Sequence, residues 1–256
     1  MPTFEIDNLQ LHYVVEGSGP PIVLVHGFAS SIDGNWRATG VIDALTAAGR
    51  QVIAIDCRGH GLSSKPHDPD AYGGTKMADD VVELMDYLEV AEADLMGYSM
   101  GAGIAASLLV RFPRRFRTVI LGGVGDGLLT GGRGPAGSEA IARALEAADP
   151  KAVTDPTARS FRTFAERSGN DLLALAAIQR STRGGYDAAK LSQPVCAVMV
   201  IIGEKDTLVG PADMLAATIP GARYVKVPGD HITAFNDPAY RNAVVAFLKE
   251  ASPIKA

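Results

Sequence analysis

The stretch MGYSMGAG, Met96 to Gly103, joins two apolar runs. Whether its serine, Ser99, is a nucleophile or an ordinary turn residue decides how the whole chain reads. A Gly-x-Ser-x-Gly pattern settles little alone. With 28 glycines and 13 serines in 256 residues, a shuffled chain would hold one by chance roughly once in seven trials. Context has to decide.

The context is an alternation of periods. Residues 4–7 and 9–17 alternate apolar and polar, as half-exposed strands do. PPIVLVHGF, from residue 20, is a continuous apolar run ending in glycine, the pattern of a strand buried on both faces. Helical spacing follows at 35–49, a buried strand at 51–56 and an amphipathic helix at 75–90. The run 93–99 is again a strand, 102–112 a helix and 117–125 a strand. Such alternation predicts a parallel sheet with helices on both faces. It then breaks. Residues 125–135 are loop-like, and three helical segments (138–149, 155–168 and 170–181) follow without a strand between them. Strand, helix, strand and helix resume at 194–203, 211–219, 222–228 and 238–250. The expected division is a core of 1–125 and 194–256 carrying a helical lid at 126–193.

Bulk properties bound the function. Hydrophobic content of 47% with 21% charge is that of a soluble globular protein. A net charge of −5 without a long basic run argues against a nucleic-acid partner. The longest apolar run, residues 102–110, is far short of the roughly 20 residues that span a bilayer, and the N-terminus lacks a secretory pattern. The expected location is the cytoplasm, and the expected partner a small-molecule substrate. Cys57 and Cys196 form no metal-ligand cluster and fall at opposite ends of parallel strands, so no disulfide is expected.

Ser99 falls where a buried strand meets a helix start, a sharp turn that pushes the side chain up from the sheet edge. Gly97 and Gly101 let that turn close, while Ala102 and Gly103 are expected to let the helix pack closely on the sheet. A serine needs a base to take its proton. Of five histidines, only His231 follows Ser99, in a loop directly after a predicted strand. The acid that orients it should hang from another strand end between the two. Asp206 fits, with Asp126 as competitor and Glu204 and Asp230 as weaker choices.

Four elements in order, HGF at 26–28, DCRGHGLS at 56–63, GYSMG at 97–101 and the late pair GEKD and GDH at 203–206 and 229–231, make the chain resemble the α/β-hydrolase superfamily over nearly its whole length. That resemblance implies an eight-stranded, mostly parallel sheet flanked by helices and a helical lid after the sixth strand. It implies a Ser99–Asp206–His231 triad and an oxyanion hole from the backbone N–H groups of Phe28 and Met100. It also casts the DCRGHGLS loop as an architectural turn. Serine at 99, where dehalogenase- and epoxide-hydrolase-like relatives carry aspartate, argues against those reactions.

Candidate pocket residues are Leu128, Leu129, Phe161 and Phe164 in the insertion and Ile232 and Phe235 beside the base. The expected activity is hydrolysis of carboxylic esters or lactones of small, largely apolar molecules through an acyl-enzyme, with no metal or organic cofactor. Three alternatives stand beside it: a cofactor-free haloperoxidase or perhydrolase, a carbon–carbon bond hydrolase, and a ligand-binding protein on a hydrolase scaffold.

Overall fold

The computed structural model describes residues 1–131, 134–182 and 187–254. Gly132, Arg133 and residues 183–186, which belong to the expected insertion, lie outside it. The chain opens with a hairpin of β1 (Thr3–Ile6) and β2 (Leu9–Glu16). Its two-residue turn puts Asp7 at φ 53° and Asn8 at φ 60°, the left-handed pair whose twist matches the flanking strands. Six further strands follow: β3 (Pro21–Val25), β4 (Gln51–Ile55), β5 (Ala93–Tyr98), β6 (Phe116–Gly122), β7 (Ala197–Gly203) and β8 (Arg223–Val227). They form one eight-stranded sheet in the order β1-β2-β4-β3-β5-β6-β7-β8. β2 runs antiparallel to β4, and every pair from β4 to β8 is parallel.

All six residues of β5 are buried, so alternate side chains feed two cores. On one face Val23, Val25 and Leu95 meet α2 (Lys76–Tyr87) and α3 (Met100–Arg111). On the other, Ile22, Leu24, Met96 and Tyr98 meet α1 (Val41–Ala47) and α8 (Pro238–Ala251). Between β6 and β7 lie α4 (Gly134–Glu146), α5 (Pro156–Arg167) and α6 (Leu172–Arg180), all on the first face's side. A short α7 (Asp213–Thr218) precedes β8. No helix among the described residues is long and apolar enough to cross a membrane.

One expected element is divided. The helical spacing at 35–49 resolves into a π-helical turn, Asp33–Arg37, and then α1, with Gly40 at φ 72° between them. The Thr39 hydroxyl donates to Asn35 O at 2.7 Å, closing the first turn before the second begins. Trp36 of that turn and Val41, Ile42 and Leu45 of α1 enter the same core, which accounts for the apolar period the sequence shows.

Candidate active site

Ser99 sits between β5 and α3 with φ 53° and ψ −112°, a conformation that a non-glycine residue keeps only when its surroundings impose it. Its N–H donates to Gly122 O at 2.8 Å, and its carbonyl accepts from Ala102 and Gly103 at 3.0 and 3.2 Å. The neighbouring glycines are obligatory. A Cβ on Gly97 would lie 2.1 Å from Gly101 O, and one on Gly101 only 2.0 Å from Val25 O. The close approach is therefore Gly101's, between helix and β3. Gly103, expected to contribute, has open space where a Cβ would go, because it faces away from the sheet contact.

His231 follows β8, and its Nε2 lies 3.0 Å from Ser99 Oγ. Its Nδ1 lies 2.7 Å from Asp206 Oδ2. A carboxylate can only accept, so Nδ1 carries the ring hydrogen and Nε2 is left to accept from the serine hydroxyl. Asp206 is buried, and its Oδ1 accepts from the amides of Leu208 and Val209 at 3.1 and 3.3 Å. The loop that carries His231 is tied to the strand leading into Ser99 as well: Tyr98 Oη donates to His231 O at 2.7 Å.

The competing acids are occupied elsewhere. Asp126 Oδ1 accepts from Leu215 N–H at 2.8 Å, capping the first turn of α7. Glu204 is exposed. Asp230 accepts from the Thr233 hydroxyl and from the amides of Ile232 and Thr233. These bonds, the hydroxyl's first, hold its carboxyl below the ordinary range, so beside His231 it acts as a loop staple.

The loop after β3 is pinned peptide by peptide. Gly27 N–H donates to Asn35 Oδ1 at 2.8 Å, and Ala29 N–H to His60 Nε2 at 3.1 Å. Between those two amides lies that of Phe28. Cys57 N–H donates to His26 Nε2 at 3.0 Å, which leaves the His26 Nδ1–H to donate to Gly27 O at 2.8 Å. Complete burial lowers the His26 pKa, favouring the neutral ring this pairing requires. The Met100 amide opens α3, where a helix leaves N–H groups without intrahelical acceptors and presents its positive end. His26 and His60 thus brace this loop from within the HGF and DCRGHGLS motifs, while Asn35 does so without having been singled out in the sequence. Asn170, which donates to Ala29 O at 2.8 Å, had no signal in the sequence.

The candidate pocket residues separate. Phe161 meets the ring of Phe28 edge-on, centroids 5.8 Å apart. Leu128, Leu129 and Phe164 are half-buried against the same core. Ile232 is 44% exposed, at the surface beside the base. Phe235 lies on the opposite face of the sheet, in the core with Tyr98 and Tyr240, its ring 4.8 Å from that of Tyr98. It supports the base loop from behind and does not border the Phe28–Phe161 side. Cys57 and Cys196 are both free thiols.

Comparison with known proteins adds an independent line. The family model described as alpha/beta hydrolase fold matches residues 20–174. The 2-hydroxymuconate semialdehyde hydrolase of Pseudomonas sp. (strain CF600) is 38% identical over 109 residues, which are 42% of this chain and 37% of that protein. The chain spans between 20% and 37% of the length of the first three curated relatives it matches. A hydrolase structure from Pseudomonas aeruginosa superposes with TM-score 0.77 at 27% identity, covering 96% of this chain and 97% of that one. Est816, described as an N-acyl homoserine lactone degrading enzyme, superposes with TM-score 0.70 at 26% identity, over 96% and 99% of the two chains.

Proposed function

Because the chain belongs to the alpha/beta hydrolase fold family, we propose that it is a serine hydrolase of small, largely apolar carboxylic esters or lactones. The observation that carries this reading is the hydrogen-bonded run Asp206–His231–Ser99, with contacts of 2.7 and 3.0 Å and a tautomer fixed by its own chemistry. Ser99 Oγ attacks the carbonyl carbon while His231 Nε2 takes its proton. Asp206 holds the imidazole and stabilises the cation that forms. The amides of Phe28 and Met100 receive the developing oxyanion. His231 then protonates the leaving alkoxide, and water, deprotonated by the same histidine, cleaves the acyl-enzyme. Residues 126–193 act as a lid over the core of 1–125 and 194–256, with the Phe28 and Phe161 rings offering an apolar wall. Lactone substrates draw support from the likeness to the homoserine lactone degrading enzyme.

A second reading, hydrolysis of a carbon–carbon bond, is favoured by the likeness to the semialdehyde hydrolase. One set of measurements separates the two. A fluorophosphonate probe should label wild type at Ser99 and leave Ser99→Ala untouched. Turnover of p-nitrophenyl esters of rising acyl length and of simple lactones should exceed that of a vinylogous diketone. Labelling elsewhere, or faster diketone cleavage, would reject the ester reading.

A further inference from the structure

The segment between β6 and β7 reaches the loop after β3 at its strained residue. Ala29 is a non-glycine at φ 57°, so its conformation depends on what holds it. Its N–H is held from the core by His60. Its carbonyl is held from the inserted segment, by the Asn170 side-chain amide at 2.8 Å.

Asn170 is itself well placed for this. Gly169, at φ 65°, ends α5, and Asn170 N–H returns to Ala165 O at 3.1 Å. The next residue, Asp171, caps α6 through the amides of Leu173 and Ala174 and pairs with His67 Nε2 of the core at 3.0 Å. The far end of α6 is tied down too, with Gly74 N–H donating to Thr182 O at 2.8 Å. A second contact runs in parallel, since the ring of Phe28 rests against Phe161 of α5. Two consecutive residues of the loop are therefore gripped from α5 and the turn that follows it.

Oxyanion stabilisation depends on donors fixed before the charge develops. We infer that Asn170 is a positioning residue for the oxyanion hole: by holding the Ala29 carbonyl it fixes the aim of the neighbouring Phe28 N–H. The hole is then complete only while the α5–α6 corner is docked. This rests on the serine-hydrolase reading above.

The test uses Asn170→Ala and Asn170→Asp, the second keeping the size but replacing the donating NH₂ by an oxygen. Losing an oxyanion donor outright costs about 10²- to 10³-fold in kcat, so a donor merely loosened should cost roughly tenfold in both variants. KM should stay within about twofold, and an alkylboronic acid, whose tetrahedral adduct on Ser99 fills the hole, should bind more weakly by a factor similar to the loss in kcat. Amide exchange in the peptide spanning 27–30 should quicken, with the melting temperature nearly held. Counting active sites with a fluorophosphonate excludes loss through misfolding. Unchanged exchange in that peptide, or kcat per titrated site equal to wild type, overturns the inference while leaving the serine-hydrolase reading intact. Absence of Ser99 labelling in wild type overturns that reading, and the positioning role of Asn170 with it.

Discussion

Two buried histidines among the described residues hydrogen-bond an aspartate through Nδ1, with nearly identical geometry. His12 Nδ1 lies 2.8 Å from Asp56 Oδ2, and His231 Nδ1 lies 2.7 Å from Asp206 Oδ2. Their surroundings differ. Asp56 also accepts from the amides of Ile32 and Leu62 at 2.8 and 2.9 Å, so one carboxylate ties β2 to two loops. His12 is built into β2, with its own N–H donating to Ser63 Oγ at 2.8 Å, and no nucleophile stands beyond its ring among the described hydrogen bonds. His231 sits in a loop past a strand end and has Ser99 Oγ on its far nitrogen. The pair orients an imidazole in both places; only at His231 does a serine hydroxyl stand on the other nitrogen, and under the proposed function that hydroxyl is what turns orientation into chemistry.

The sharpest way to break this comparison is to neutralise each acid in turn. Asp206→Asn keeps the shape, favours the wrong tautomer and no longer stabilises the imidazolium. In a serine protease the equivalent change costs about 10⁴ in kcat, and a loss of roughly 10² to 10⁴ is expected here, with the melting curve little changed. Asp56→Ala should do the reverse. It leaves the buried amide of Ile32 and the ring of His12 without their acceptor, at about 1–3 kcal/mol for each such group. A loss of about 3 kcal/mol in denaturant unfolding is expected, while kcat of the folded fraction falls less than tenfold. If Asp56→Ala proved the catalytically crippled, stably folded variant, the two pairs would have been assigned the wrong way round. The smallest effect belongs to Asp126→Asn. The Asp126 side-chain bond is one amide donated by Leu215, which an asparagine amide oxygen can accept equally well, so stability and kcat on an activated ester should both stay close to wild type. A hundredfold fall in kcat would show that the acid hangs after β6 instead of β7.

The parts of this molecule legible in its sequence are those set by local rules. β3 through β7 are largely buried, so they read as mainly apolar runs despite Asp94 in β5 and Arg117 and Thr118 in β6, and the chain order of Ser99, Asp206 and His231 follows the order of strand ends. Boundaries drift where tertiary contacts decide them. α3 begins at Met100, ahead of the residue 102 that the glycines suggested, because the strained Ser99 turn feeds straight into the helix. Phe235 reads as a pocket residue by its closeness to the base, yet a short helical turn at Ala234–Asn236 swings it onto the other core. Asn170 is the limiting case. Its one distinguishing bond joins residues 141 positions apart in the chain, and no local pattern encodes such a meeting.

Because β6 and β7 are parallel neighbours, with Thr118 opposite Ala197 and Gly122 opposite Ile201, the chain leaves β6 at one edge of the sheet and must enter β7 at the other. β7 holds seven residues, about 23 Å at a strand's usual rise. The segment from 126 to 193 is thus also the crossover that makes this pairing possible. A designer who trims or exchanges it cannot close the gap with a tight turn, since parallel strands need a connection of a dozen or more residues. Any graft also has to keep the part of the insertion that touches the loop after β3, where Phe161 of α5 meets Phe28 and Asn170 holds the Ala29 carbonyl.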